Sequence, residues 1–282
     1  MQDIQSFLST AVNFKAVFLD SYGVLKNYNG LIEGVQDAVA FLREKGIAIR
    51  VLTNDASRSQ EQQIESFNML GLNGFQTHEI ITSGMMAKHF LQHKITEGKV
   101  AYMGTENSAR YILQAGLEHI SIREINMDKL DDIAAFVFLD DEGFDWNTDI
   151  NKTINLLRRK NIPVIVANSD KLYPVSKSEV ALATGGIARL VENMLGRKFI
   201  HFGKPDTQMF TYAYNRLKRL RPFTKTEILM VGDNLHTDIL GGNKFGIKTA
   251  LVLSGNTSES SVEQQVMSTG IIPDFICRSI TA

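Results

Sequence analysis

Two apolar runs that each end on an aspartate constrain this chain more than any other feature. Lys15-Ala16-Val17-Phe18-Leu19 runs into Asp20 and opens the turn Ser21-Tyr22-Gly23-Val24-Leu25. Far along the chain, Ile228-Leu229-Met230-Val231 runs into Gly232-Asp233-Asn234-Leu235-His236-Thr237-Asp238. Short uninterrupted apolar runs read as strands covered on both faces, the habit of parallel sheets. Such sheets bind ligands at the carboxyl ends of their strands. If these two ends are neighbours, they form a divalent-metal site with a carboxylate available to attack an electrophile.

The rest of the chain alternates strands and helices, as parallel βαβ units require. Val35, Ala38, Val39 and Leu42 form one helical face that stops at Gly46, and Ile47 to Leu52 follows as a strand. A polar helix begins near Ser59 and closes at Gly71, and Ile80-Ile81 leads into another helix start at Thr82-Ser83-Gly84. Val100 to Met103, Ala134 to Leu139 and Ile162 to Ala167 are expected strands, with helices over Asn151 to Lys160 and over Ala188 to Leu195. Pro205-Asp206 introduces a helix carrying Met209, Ala213, Leu217 and Leu220 on one face. With 282 residues, 44% of them hydrophobic, the chain is long enough for one large or two modest domains. A formal charge of -1 gives no general attraction to nucleic acid or anionic membrane. No apolar run approaches the ~18 residues that span a bilayer. Met1-Gln2-Asp3-Ile4-Gln5 lacks the basic start of a signal peptide, and the single cysteine, Cys277, excludes an intrachain disulfide. A soluble cytoplasmic protein is therefore expected, with no nucleic-acid or membrane partner.

Single residues carry little alone. Asp20 reads equally as a turn cap, and Thr53-Asn54, after the second strand, as a pair satisfying local backbone. Lys204 in Gly203-Lys204-Pro205 reads as a loop lysine, and Pro205 rules out a nucleotide-binding P-loop. Asp238 reads as a first-turn helix acid. His89 and His93, four apart, read as a surface pair, and the acidic strand exit Asp140-Asp141-Glu142 as a solvated loop. The order of the elements is the stronger signal: strand-end Asp, strand-end Thr, Gly-Lys-Pro, then Gly-Asp with a second Asp five positions on.

That order resembles the haloacid dehalogenase superfamily, and most closely its subfamily IIA. The matching segments are Thr53-Asn54-Asp55-Ala56-Ser57-Arg58-Ser59, Gly203-Lys204-Pro205 and Gly232-Asp233 through Thr237-Asp238-Ile239-Leu240-Gly241-Gly242, with Val166-Ala167-Asn168-Ser169-Asp170 and Ala183-Thr184-Gly185-Gly186 in the middle. The resemblance implies an α/β fold: a doubly wound parallel-sheet core over residues 1–85 and 198–282, with an inserted α/β cap over 86–197 that selects the substrate. It implies a Mg²⁺-dependent phosphatase of small phosphorylated metabolites, sugar phosphates among them, and suggests a homodimer paired through the cap. Asp20 becomes the nucleophile, forming an aspartyl-phosphate. Thr53, Asn54 and Lys204 become phosphoryl-binding residues, and Asn168 and Asp170 cap residues facing the substrate. Asp20, Asp233, Asp238 and the main-chain carbonyl of Tyr22 become the metal ligands.

One position departs from the pattern. Phosphatases of this superfamily carry a second Asp two residues after the nucleophile to serve as general acid and base. Here that place holds Tyr22. A phenol with a pKa near 10 is a weak base at neutral pH, and general acid–base help contributes about 10²–10⁴-fold. Three readings follow: a slow phosphatase, with Tyr22 or a cap acid such as Asp170 moving the proton; a phospho-ligand-binding protein of low turnover; or a hydrolase acting at carbon. Asp20-Ser21-Tyr22-Gly23 resembles the dehalogenases, which argues for the last, but Val24 and the late cap insertion argue against it.

Overall fold

The apolar runs form two parallel sheets. The computed structural model describes residues 4–176 and 179–282; Met1 to Asp3, at the segment read for a leader sequence, lie outside them. The larger sheet has the order Ile4–Gln5, Phe275–Cys277, Lys248–Val252, Ile228–Gly232, Ala16–Leu19, Ala48–Thr53 and Ile80–Thr82, all pairs parallel. The two strands that end in aspartate lie side by side at its centre, with Leu19 opposite Val231. The Asp20 backbone N–H then donates to the Val231 carbonyl at 2.9 Å. Every residue of Ala16–Leu19 and Ile228–Gly232 is buried, which is why both runs are continuously apolar.

One face of this sheet packs on helix Val35–Glu44 through Val35, Ala38, Val39 and Leu42. The other packs on helix Thr207–Lys218 through Met209, Phe210, Ala213 and Leu217. Leu220 is a correction: it lies beyond the end of that helix, is 60% exposed and is not part of the buried face. Helix Gln60–Met69 starts at a capping box between Ser59 and Gln62. It is followed by Gly71 at φ +86°, a left-handed turn that glycine adopts without Cβ strain.

The second sheet has the order Ile200–His201, Val164–Val166, Ile133–Phe138, Lys99–Met103 and His119–Ser121, again all parallel. It is covered by helices Glu106–Gln114, Thr148–Arg159 and Thr184–Leu195. Because Ile200–His201 pairs within it, this sheet reaches past the expected boundary at 197. Helix Ser83–Lys94 serves both layers: Met85 packs in the core of the larger sheet, Ala87 and Leu91 with the smaller. A hairpin of Leu172–Pro174 against Val180–Leu182, not foreseen from the sequence, extends from the smaller unit. No described helix is long and apolar enough to cross a membrane.

Candidate active site

The adjoining strand ends bring three acids together. One oxygen each of Asp20, Asp233 and Asp238 lies within 4.8 Å of the others. Asp238 arrives on a single π-helical turn, Leu235–Ile239, that follows Asp233; such turns recur at functional sites. Its Oδ2 accepts from the Asn234 backbone N–H at 3.1 Å. Asp233 is fixed by Asn256, whose backbone N–H and side-chain amide both donate to Oδ2, at 2.6 and 2.8 Å. Two glycines make room for it: a Cβ on Gly23 would come within 2.2 Å of Asp233 Oδ2, and one on Gly255 within 2.0 Å. Asn256 and Gly255 were not anticipated; they follow a strand with no motif of its own, and only the register of Lys248–Val252 beside Ile228–Gly232 brings them here.

Lys204 enters from the chain returning out of the smaller unit. Its Nζ lies 2.6 Å from Asp20 Oδ1 and 2.7 Å from Asp238 Oδ1. Burial alone would lower its pKa, but the charges of Asp20 and then Asp238 outweigh burial and hold it well above the ordinary value. Burial, opposed by Lys204 and reinforced by Asp20 and Asp233, pushes Asp238 well above the carboxylate range. Burial, then the charge of Asp20, pushes Asp233 up to about 7, against the two donors from Asn256.

One ammonium thus faces three carboxylates. Asp238 Oδ1 is buried and, beyond its ion pair with Lys204, receives no directed hydrogen bond among the described residues. An all-oxygen donor set with excess negative charge fits a hard divalent cation.

The other expected residues line a cavity of about 660 Å³ between the two units, with Asp20, Tyr22, Thr53, Asn54, Asn168 and Asp170 all on its wall. The Asn54 side chain is engaged within the protein: it accepts from Lys204 N–H at 2.7 Å and donates to the Lys204 carbonyl and to Asp170 Oδ1, at 3.0 and 2.8 Å. It therefore fixes the Lys204 backbone and ties it to the cap. Asn168 Oδ1 accepts from the Asp170 backbone N–H at 2.9 Å. Burial, opposed by Lys204 and Asn54, raises Asp170 to about 6. The Tyr22 hydroxyl donates to the Pro174 carbonyl in the cap hairpin at 2.8 Å. That side chain, expected at the proton-transfer position, is engaged with the cap. Asp140, Asp141 and Glu142, read as a solvated loop, line the cavity on the cap side. His236 and His93 are exposed, His89 packs against the Tyr212 ring, and Cys277 is buried away from the cavity lining.

Comparison with known proteins agrees with this geometry. The family profile described as haloacid dehalogenase-like hydrolase matches residues 17–118, and a second, HAD-hydrolase-like, matches 201–282. Phosphoglycolate phosphatase 1A of Arabidopsis thaliana is 30% identical over 93% of this chain and 74% of its own. The chain belongs to the haloacid dehalogenase-like hydrolases. Within that superfamily it falls among the subfamily IIA phosphatases, which makes it a phosphoric monoester hydrolase by kind. The ribonucleotide monophosphatase NagD of Escherichia coli is 28% identical over 89% of this chain and 92% of its own. A crystal structure from Cytophaga hutchinsonii, described as a possible sugar phosphatase, is 48% identical, superposes with a TM-score of 0.96, and matches 100% of this chain and 99% of the other. Phosphatases of this superfamily are in general metal-dependent, in keeping with the three clustered acids.

Proposed function

We propose that the protein is a Mg²⁺-dependent phosphatase of small phosphorylated metabolites, sugar phosphates among them, acting through an aspartyl-phosphate on Asp20. The observation that carries this reading is the convergence of Asp20, Asp233 and Asp238 around Lys204, beside the cavity that Asp20 lines. Asp20, Asp233, Asp238 and the Tyr22 carbonyl are the groups to hold Mg²⁺. When bound, the ion neutralises the crowded acids and the charge of the transferring phosphoryl group.

Asp20 attacks phosphorus through its carboxylate, and the ester oxygen departs. Lys204 pairs with Asp20 and balances phosphoryl charge, and Thr53, buried at the end of the neighbouring strand, offers a hydroxyl to a phosphoryl oxygen. Asp170 is our candidate to protonate the departing oxygen and then to take a proton from the attacking water. It lines the cleft, lies within electrostatic range of Asp20 and Lys204, and is raised by burial toward neutral pH. Tyr22 is not assigned that role, because its hydroxyl is given to Pro174.

The test is phosphate release from a panel of esters with Mg²⁺. Asp20→Asn is expected to remove at least about a thousandfold of the turnover. Asp170→Asn is expected to spare the burst of 4-nitrophenol from 4-nitrophenyl phosphate, whose leaving group needs no acid. It should slow hydrolysis of the aspartyl-phosphate for every ester, and its formation from esters with poor leaving groups. Undiminished phosphate release by Asp20→Asn would refute the proposal, and halide release from 2-haloacids would favour the carbon-directed alternative.

A further inference from the structure

The core wall of the cleft holds a cation without an anion of its own. Lys26 follows the turn that begins at Asp20, closed by its backbone N–H donating to the Ser21 carbonyl at 3.1 Å. It pairs with Leu31 in a two-stranded ribbon. Its side chain is half-buried and lines the same cavity as Asp20. The ammonium stands 5.7 Å from the centre of the Phe67 ring. Among the described residues it has no ion pair and no side-chain hydrogen bond. The nearby acids are already engaged. Asp55 accepts from Ser57 on Oδ1, and from Arg58 and Gln63 on Oδ2; Asp20 accepts from Lys204.

A desolvated ammonium with no counter-ion is costly. A cation–π contact near 6 Å is at the limit of its range and offsets only part of that cost. Arg58, on the same wall, is already paired with Asp55, 3.1 Å from its Oδ2. The opposite wall carries Asp140, Asp141 and Glu142. Of the two cations that line the cavity, Lys26 and Arg58, Lys26 is the one without a paired carboxylate among the described residues. An anion on the substrate is repelled by these cap acids and attracted to Lys26.

We propose that Lys26 is a specificity residue that receives a second anionic group of the substrate, so that the preferred esters are compact phosphomonoesters also bearing a carboxylate or a second phosphate. Resting on the phosphatase reading above, this narrows its substrate class. Neutral polyol phosphates present nothing to Lys26 and are the poorer substrates.

The experiment compares esters that differ in one charge: 2-phosphoglycolate with 2-hydroxyethyl phosphate, and 3-phosphoglycerate with glycerol 3-phosphate. The wild type is expected to favour the acid of each pair. Lys26→Met is expected to lower kcat/KM for the acids about 10- to 100-fold, the range of a charge-assisted hydrogen bond, mainly through KM. The neutral esters should change by less than about threefold, and Lys26→Arg should keep part of the preference. Equal rates within each pair for the wild type, or equal losses in both members for Lys26→Met, would overturn the assignment. Calorimetric binding of the same pairs to Asp20→Asn, with and without Lys26→Met, decides the point independently of turnover: a preference for the acids that Lys26→Met abolishes supports it, and no preference sinks it. Absence of turnover with every ester while that binding preference persists would reject the phosphatase reading and leave the Lys26 subsite standing.

Discussion

At the scale of single residues, the site is held by charge. Three acids face one ammonium, and burial raises Asp233 to about 7 from an ordinary 3.8. An acid with a raised native pKa binds its proton more tightly folded than unfolded. The metal-free protein therefore loses stability as pH rises from about 4 to about 7. A divalent cation replaces the proton, so its stabilisation grows over the same interval. Thermal unfolding in EDTA should show a midpoint falling from pH 5 to pH 8, and Mg²⁺ should raise the midpoint more at pH 8 than at pH 5. A Mg²⁺ increment independent of pH would contradict a shared carboxylate site. The identities of these acids were legible in the sequence because Asp20 ends an apolar run, Asp233 follows Gly232 at the end of another, and Asp238 stands five positions on. The supporting residues were not: Asn256 and Gly255 lie in an ordinary Ser-Gly-Asn-Thr loop, and only the adjacent strand carries them to Asp233.

At the scale of elements, strand order creates the site and turns refine it. The continuous burial of Ala16–Leu19 and Ile228–Gly232 forces both into the sheet centre, and parallel pairing puts their carboxyl ends on one edge. The loop after Lys248–Val252 then closes over Asp233. Gly255→Ala would drive a Cβ into that carboxylate. We expect about tenfold or weaker Mg²⁺ binding, as for lost supporting contacts at other metal sites, with the fold intact by circular dichroism; unchanged affinity in calorimetry would show that the loop can yield. Helices with strong apolar periodicity were legible: the Val35–Glu44 helix buries the four residues its spacing selects. The helix Thr184–Leu195 begins earlier than its apolar spacing indicated, because its first turn is Thr184-Gly185-Gly186 and shows no apolar stripe. The hairpin Leu172–Pro174 and Val180–Leu182 was not legible. Its strands are three residues each, and Leu172, Val180 and Leu182 are exposed, so no buried face imposes a pattern.

At the scale of the whole molecule, function depends on how the two units close. Hydrogen bonds cross the cleft on different sides: Tyr22 to Pro174, Asn54 to Asp170, and Asn107 to the Ser57 carbonyl at 2.8 Å. Tyr22→Phe removes one without changing charge. A single hydrogen bond contributes about 1 kcal/mol, so KM should rise about fivefold, with faster amide exchange at Leu172 and Tyr173. Were Tyr22 the proton donor, kcat would instead fall by about 10²–10⁴-fold. Steady-state kinetics separates the two outcomes.

By itself, the sequence determined the parallel α/β plan, because burial leaves a local pattern, and the order of its motifs pointed to the acids and the lysine that the structure brings together at the sheet edge. The tertiary structure alone decided what Tyr22 and Asn54 bind, that the acidic run Asp140-Asp141-Glu142 faces the cleft, that Lys26 has no ion pair among the described residues, and how Asp233 is held. Those outcomes depend on contacts between segments distant along the chain, such as Tyr22 with Pro174, and neither spacing nor composition encodes the distance between them.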